Sequence, residues 1–106
     1  MITTDQLSNP AVRTLVDAVN SGDQRAFFQA LTQDATMSDD GTDRDLERWA
    51  ESEIFSSDGR MDVESQTDDG LSLIARFRNN TWGEMRTAWK FTVTDGKVSR
   101  FDTGQA

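Results

Sequence analysis

The hydrophobic period of this chain changes once, near Arg60, and that switch limits what it can fold into. Before Arg60 the apolar residues recur at helical spacing. Val12, Leu15, Val16 and Val19 fall at i, i+3, i+4 and i+7, one face of a helix. Asn9 followed by Pro10 supplies an N-cap and a first-turn proline, and Gly22 supplies a C-terminal stop. Asp23 can cap a second helix at once, with Ala26, Phe27, Ala30 and Leu31 on its inner face. The adjacent pair Phe27-Phe28 implies burial on more than one side. Thr36 to Ser38 reads as a short strand, stopped by Asp39-Asp40-Gly41. Thr42 or Asp43 is then expected to cap a third helix carrying Leu46, Trp49, Ala50 and Glu53-Ile54, with Phe55 at its end. Asp58-Gly59 is a turn.

After Arg60 the period is two. Met61 and Val63 alternate with Asp62 and Glu64, and Asp69-Gly70 reads as a hairpin turn. Leu71, Leu73, Ala75 and Phe77 share a face. Asn79-Asn80 turns the chain again. Met85, Thr87, Trp89, Phe91 and Val93 share the next face, and Asp95-Gly96 leads into a last strand from Val98 to Thr103. Helices followed by a four-stranded antiparallel meander predict an α+β fold. The three helices are the only cover for one face of that sheet. A sheet curled around helices forms a cone with a pocket at its open end. At 106 residues, the whole chain, 1–106, is expected to form one domain around one core.

Composition removes several classes of function. A net charge of −8 argues against nucleic acid or an anionic membrane as partner, since both need a basic footprint. No apolar run approaches eighteen residues, and the opening MITTDQLSNP has no basic and apolar signal regions, so a cytoplasmic location is expected. There is no Cys, hence no disulfide and no thiol chemistry. There is also no His and no Tyr. Acid–base catalysis would have to use a carboxylate or a Lys, and imidazole metal sites are excluded. No cofactor and no metal is expected.

Several local words share an order with a known superfamily. Asn20-Ser21-Gly22-Asp23, then Phe27-Phe28 and Asp34-Ala35-Thr36, resembles the helix-to-strand passage of nuclear transport factor 2-like (SnoaL-like) proteins. Leu46 and Trp49 resemble that group's third-helix anchor. Trp89-x-Phe91 with Asp95-Gly96-Lys97-Val98-x-Arg100-Phe101 resembles its closing hairpin. The resemblance implies a cone-shaped α+β roll and a homodimer formed through the outer sheet face. The superfamily holds enzymes, ligand binders and interaction modules, so it does not imply an activity. Aligned with ketosteroid isomerase-like members, the catalytic base falls on Asp39. The positions of the two oxyanion donors fall near Leu15 and Trp89, which cannot fill that role. The His–Asp arrangement of SnoaL-type cyclases and the His and Tyr of scytalone dehydratase-like sites are absent. A limonene epoxide hydrolase-like set would pair Arg76, Arg86 or Arg100 with Asp39 or Asp102, without its Tyr.

Asp39 is therefore the one candidate catalytic residue, as a general base at the pocket mouth. The competing reading is a turn Asp bonded to its own backbone. The acidic run Asp39, Asp40, Asp43, Asp45 and Glu47 lacks the spacing of a calcium loop and fits helix capping and solvation. Candidate pocket residues are Leu15, Phe27, Met37, Trp49, Phe55, Trp89, Phe91 and Phe101. Trp82, beside a turn, reads either as a third Trp lining the pocket or as an interface residue. Arg76, Arg86 and Lys90, with Ile74 and Ala88, form the opposite sheet face. Three functions follow: a binder of a small hydrophobic ligand, an isomerase, dehydratase or cyclase using Asp39, or a non-catalytic dimeric interaction domain.

Overall fold

A computed structural model describes residues 2–106. Helix α1, Pro10–Ser21, begins as its cap residues require. Asn9 Oδ1 accepts the backbone N–H groups of Ala11 and Val12, and Gly22 ends the helix in the left-handed region at φ 67°. Asp23 caps α2, Gln24–Gln29, by accepting from Ala26 N–H at 3.0 Å. This helix is shorter than its apolar pattern suggests. Ala30 ends it, and Leu31 opens strand β1, Leu31–Asp39. The strand is nine residues long, not the short segment expected, because it reaches back to Leu31, which pairs with Val98 of the last strand, and is flanked on both sides at Met37–Asp39.

One partner is β2, Thr42–Arg44, across a two-residue turn in which Asp40 and Gly41 have φ 50° and 83°. Thr42 and Asp43 thus continue a hairpin and do not cap the third helix. Asp45 caps α3, Leu46–Ala50, through Arg48 N–H. The helix then widens into a π turn over Glu51–Phe55, closed by a bond from Ser56 N–H to Glu51 C=O, five residues back.

The other partner of β1 is the last strand. Strands β3 (Arg60–Thr67), β4 (Ser72–Asn79), β5 (Gly83–Thr94) and β6 (Lys97–Gln105) form the expected antiparallel meander. Strand β1 adds to it parallel to β6, so the sheet has six strands in the order β2-β1-β6-β5-β4-β3. Extra residues in β1, β3 and β6 mark irregularities that bend and twist the sheet.

Helices cover the concave face. Val12, Leu15, Val16 and Val19 of α1 are buried with Met61, Val63, Leu73, Ala75 and Val98 of the sheet. Burial of each of these Val, Leu and Met side chains contributes about 1.5–3 kcal/mol. Phe27 packs edge-on against Phe28, Phe55 and Phe101 at centroid distances of 5.3, 5.3 and 6.4 Å. At the end of α1 the Asn20 amide bonds both backbone groups of Met61, at 2.8 and 2.9 Å, and so locks the helix to β3. No helix among the described residues is long and apolar enough to cross a membrane.

Candidate functional site

The open end of the cone holds a cavity of about 280 Å³. Four pieces of chain meet there: the β1–β2 hairpin, the α3–π segment, the turn between β4 and β5, and the end of β6. All three Trp residues of the chain line it.

Trp89 forms the floor with Phe77 and Thr87. Its indole N–H donates to Thr87 Oγ1 at 2.8 Å, and the Thr87 hydroxyl donates to Ala75 C=O at 3.0 Å, so the buried polar atoms are satisfied. Trp49 reaches in from α3 and meets Trp89 edge-on at 6.2 Å. Its indole N–H donates to Asp39 Oδ2 at 2.9 Å. Trp82 stands at the mouth, 64% exposed, with its indole N–H 3.2 Å from both carboxylate oxygens of Glu53. Asn79 ties the mouth together: its side-chain oxygen accepts from Trp82 N–H and its amide donates to Glu53 C=O.

The adjacent Asp39 and Asp40 do different work because Asp39 ends strand β1 while Asp40 opens the turn, in the left-handed region at φ 50°. Asp39 turns into the cavity wall and is held by Trp49, from another element, and not by the backbone of its own turn. Asp40 reaches across to β6 and accepts from Gln105 N–H at 3.0 Å, while its own N–H donates to Thr103 C=O. A side chain on Gly104 would place its Cβ 2.6 Å from Asp40 Oδ1, so this contact needs glycine there. The rest of the acidic run also disperses. Asp43 pairs with Arg100 at 2.8 Å, and Asp45 caps α3. The Arg100 hydrogen bond, followed by its charge, holds the Asp43 carboxyl below its ordinary value.

Of the residues expected in the pocket, Asp39, Trp49 and Trp89 come together around the cavity. Leu15, Phe27, Met37, Phe91 and Phe101 do not line it; they are buried in the core. Phe55 packs on Phe27, also away from the cavity. The reason is steric: the Phe27, Phe55, Phe91 and Phe101 rings fill the closed part of the cone. Arg76 and Arg86 share Glu64 and Arg100 pairs with Asp43 and Asp102, so none of the three forms an ion pair with Asp39. Arg44 and Glu53 are lining residues that sequence patterning does not flag. Arg44 lies on a strand that reads as a helix cap, and Glu53 lies on a π turn with no local signature. Trp82 offers the one usable signal, a large aromatic beside a turn.

No protein-family model and no curated protein matches the chain. Solved structures do. A candidate polyketide cyclase from Sinorhizobium meliloti superposes with a TM-score of 0.79 at 19% identity, over 96% of this chain and 99% of its own. An NTF2-like protein of unknown function from Cytophaga hutchinsonii gives 0.74 at 17%, over 97% and 89%. A candidate ketosteroid isomerase from Kribbella flavida gives 0.74 at 18%, over 95% and 78%. The fold is that of nuclear transport factor 2-like proteins. At these identities the likeness speaks for the nuclear transport factor 2-like fold alone.

Proposed function

We propose that this protein binds a small, partly apolar organic molecule in the cavity at the open end of its cone. The observation that carries the reading is the convergence of Trp49, Trp82 and Trp89 on a space of about 280 Å³. That volume lies just below the range of drug-sized ligand sites, roughly 300–1,000 Å³, so the ligand is compact. The space also weakens the reading of a pure interaction domain, whose pocket would be packed shut by its own side chains.

The chain supplies its own probe. It has no Tyr, and every Trp lines the cavity, so intrinsic emission reports on that site. Titration with a panel of compact aromatic and alicyclic compounds should give saturable changes in Trp emission. If no compound produces a saturable change, and native mass spectrometry of the purified protein finds no bound molecule, the reading fails.

A second reading keeps Asp39 as the general base of an isomerase, dehydratase or cyclase. It is supported by the position of the carboxylate in the cavity wall. Leu15 has no polar group and the Trp89 indole N–H is taken up by Thr87, so a ketosteroid isomerase-like site lacks both of its donors, and Arg44 is the cationic side chain lining the cavity. Turnover of a β,γ-unsaturated cyclic ketone, lost in Asp39→Asn, would select this reading over simple binding. The dimer implied by resemblance is also part of the proposal. Ile74 and Ala88 sit opposite each other on the outer face, bordered by Arg76, Arg86, Glu64 and Lys90, a centre and rim suited to a moderately polar interface.

A further inference from the structure

The charges around the cavity are unequal in a way that the indole walls make informative. Asp39, Asp40 and Glu53 line it, against one cation, Arg44. Neither Asp39 nor Glu53 forms an ion pair among the described residues; each is met by an indole N–H, from Trp49 and Trp82 respectively. Both carboxylates are only partly exposed, so each gives up some hydration without gaining a counter-charge. An indole N–H satisfies one lone pair and leaves the negative charge in place. The indole rings also present faces that attract a cation electrostatically, Trp more strongly than Tyr or Phe. Around the site, a net charge of −8 raises the local concentration of cations and lowers that of anions.

Resting on the proposal that the cavity binds a small molecule, we infer that this molecule carries a positively charged nitrogen, an amine or a quaternary ammonium, on a compact apolar body. The apolar body lies over Trp89 and Phe77. The nitrogen sits among Trp49, Trp82 and the carboxylates of Asp39 and Glu53. Anionic compounds are excluded by the same field.

The test compares three probes of one shape: 2-phenylethylamine, 2-phenylethanol and phenylacetate. Binding is followed through the indole N–H resonances of Trp49, Trp82 and Trp89 in ¹⁵N-edited NMR spectra. The amine is expected to bind about tenfold more tightly than the alcohol, with phenylacetate weakest. Its advantage should shrink as salt rises. Asp39→Asn and Glu53→Gln should each lower amine affinity more than alcohol affinity. Either variant serves if the other does not fold, with circular dichroism as the check on folding. Equal binding of amine and alcohol, or tighter binding of phenylacetate, overturns the cation preference while leaving the pocket in place. Failure of all three probes to shift any indole resonance overturns the cation preference, and the pocket falls with it if the wider panel is also silent and native mass spectrometry finds no bound molecule.

Discussion

Single contacts in this molecule have separable consequences. The Asp40 carboxylate and Gly104 act as one unit, because the first fits only where the second has no side chain. Asp40→Ala should cost about 1 kcal/mol through loss of the Gln105 bond, read as a lower urea midpoint. Gly104→Ala should cost a similar amount by displacing the same carboxylate. The double variant should be less destabilised than the sum, since both changes remove one contact. Fully additive costs would show that the contact is not shared. The Asp43–Arg100 pair gives a pH prediction. The Asp43 carboxyl is lowered from 3.8, so any stability it contributes is present above that value and is lost as pH falls through the lower folded value. The pair is exposed, so the effect is small and salt-sensitive. The urea midpoint of the native protein should exceed that of Asp43→Asn at neutral pH, and the gap should close in acid. A gap that persists in strong acid would assign the effect to something other than the charge.

Among the elements, the interlock of Phe27 with Phe55 and Phe101 joins α2, the π turn and β6. Phe27→Ala should cost about 3–5 kcal/mol by opening a cavity there, measurable as a lower denaturation midpoint. Local elements were legible where one short segment decides the outcome. Asn9-Pro10, Gly22 and Asp23 bound α1 and start α2 as their chemistry predicts. The meander was legible from alternation. Where two structures use the same residues, sequence is ambiguous. Asp39 to Asp43 can close a helix start or a type I′ hairpin, and only the available sheet edge decides for β2. Strand β1 was underestimated because residues 32–34 are not fully buried and do not alternate as a half-buried strand should. Its partner β6 lies far away in the chain. The site suffers from the same limit. The inward phase of Trp49 and Trp89 was readable, but the convergence of Arg44, Glu53 and Trp82 depends on turns that no local pattern encodes.

For the whole molecule, the two faces of the sheet have different duties. The concave face carries the core and the cavity, while Arg76, Arg86 and Glu64 form a charged network on the convex face. If the convex face is the dimer interface, Ile74→Glu should yield monomers in sedimentation experiments with Trp emission unchanged. A native protein that sediments as a monomer would remove the dimer from the proposal. The sheet order has another consequence, for the order of assembly. Strand β1 is made before the other five strands described, yet its long partner is β6, the furthest of them along the chain. Ser38 meets Asp102 across 64 positions of chain. Closing so long a loop precedes the contacts that reward it, which slows folding. On the ribosome, the apolar stripe of α1 must wait for residues 97–105 to emerge before its sheet is complete. Until then the growing chain is a candidate for chaperone capture.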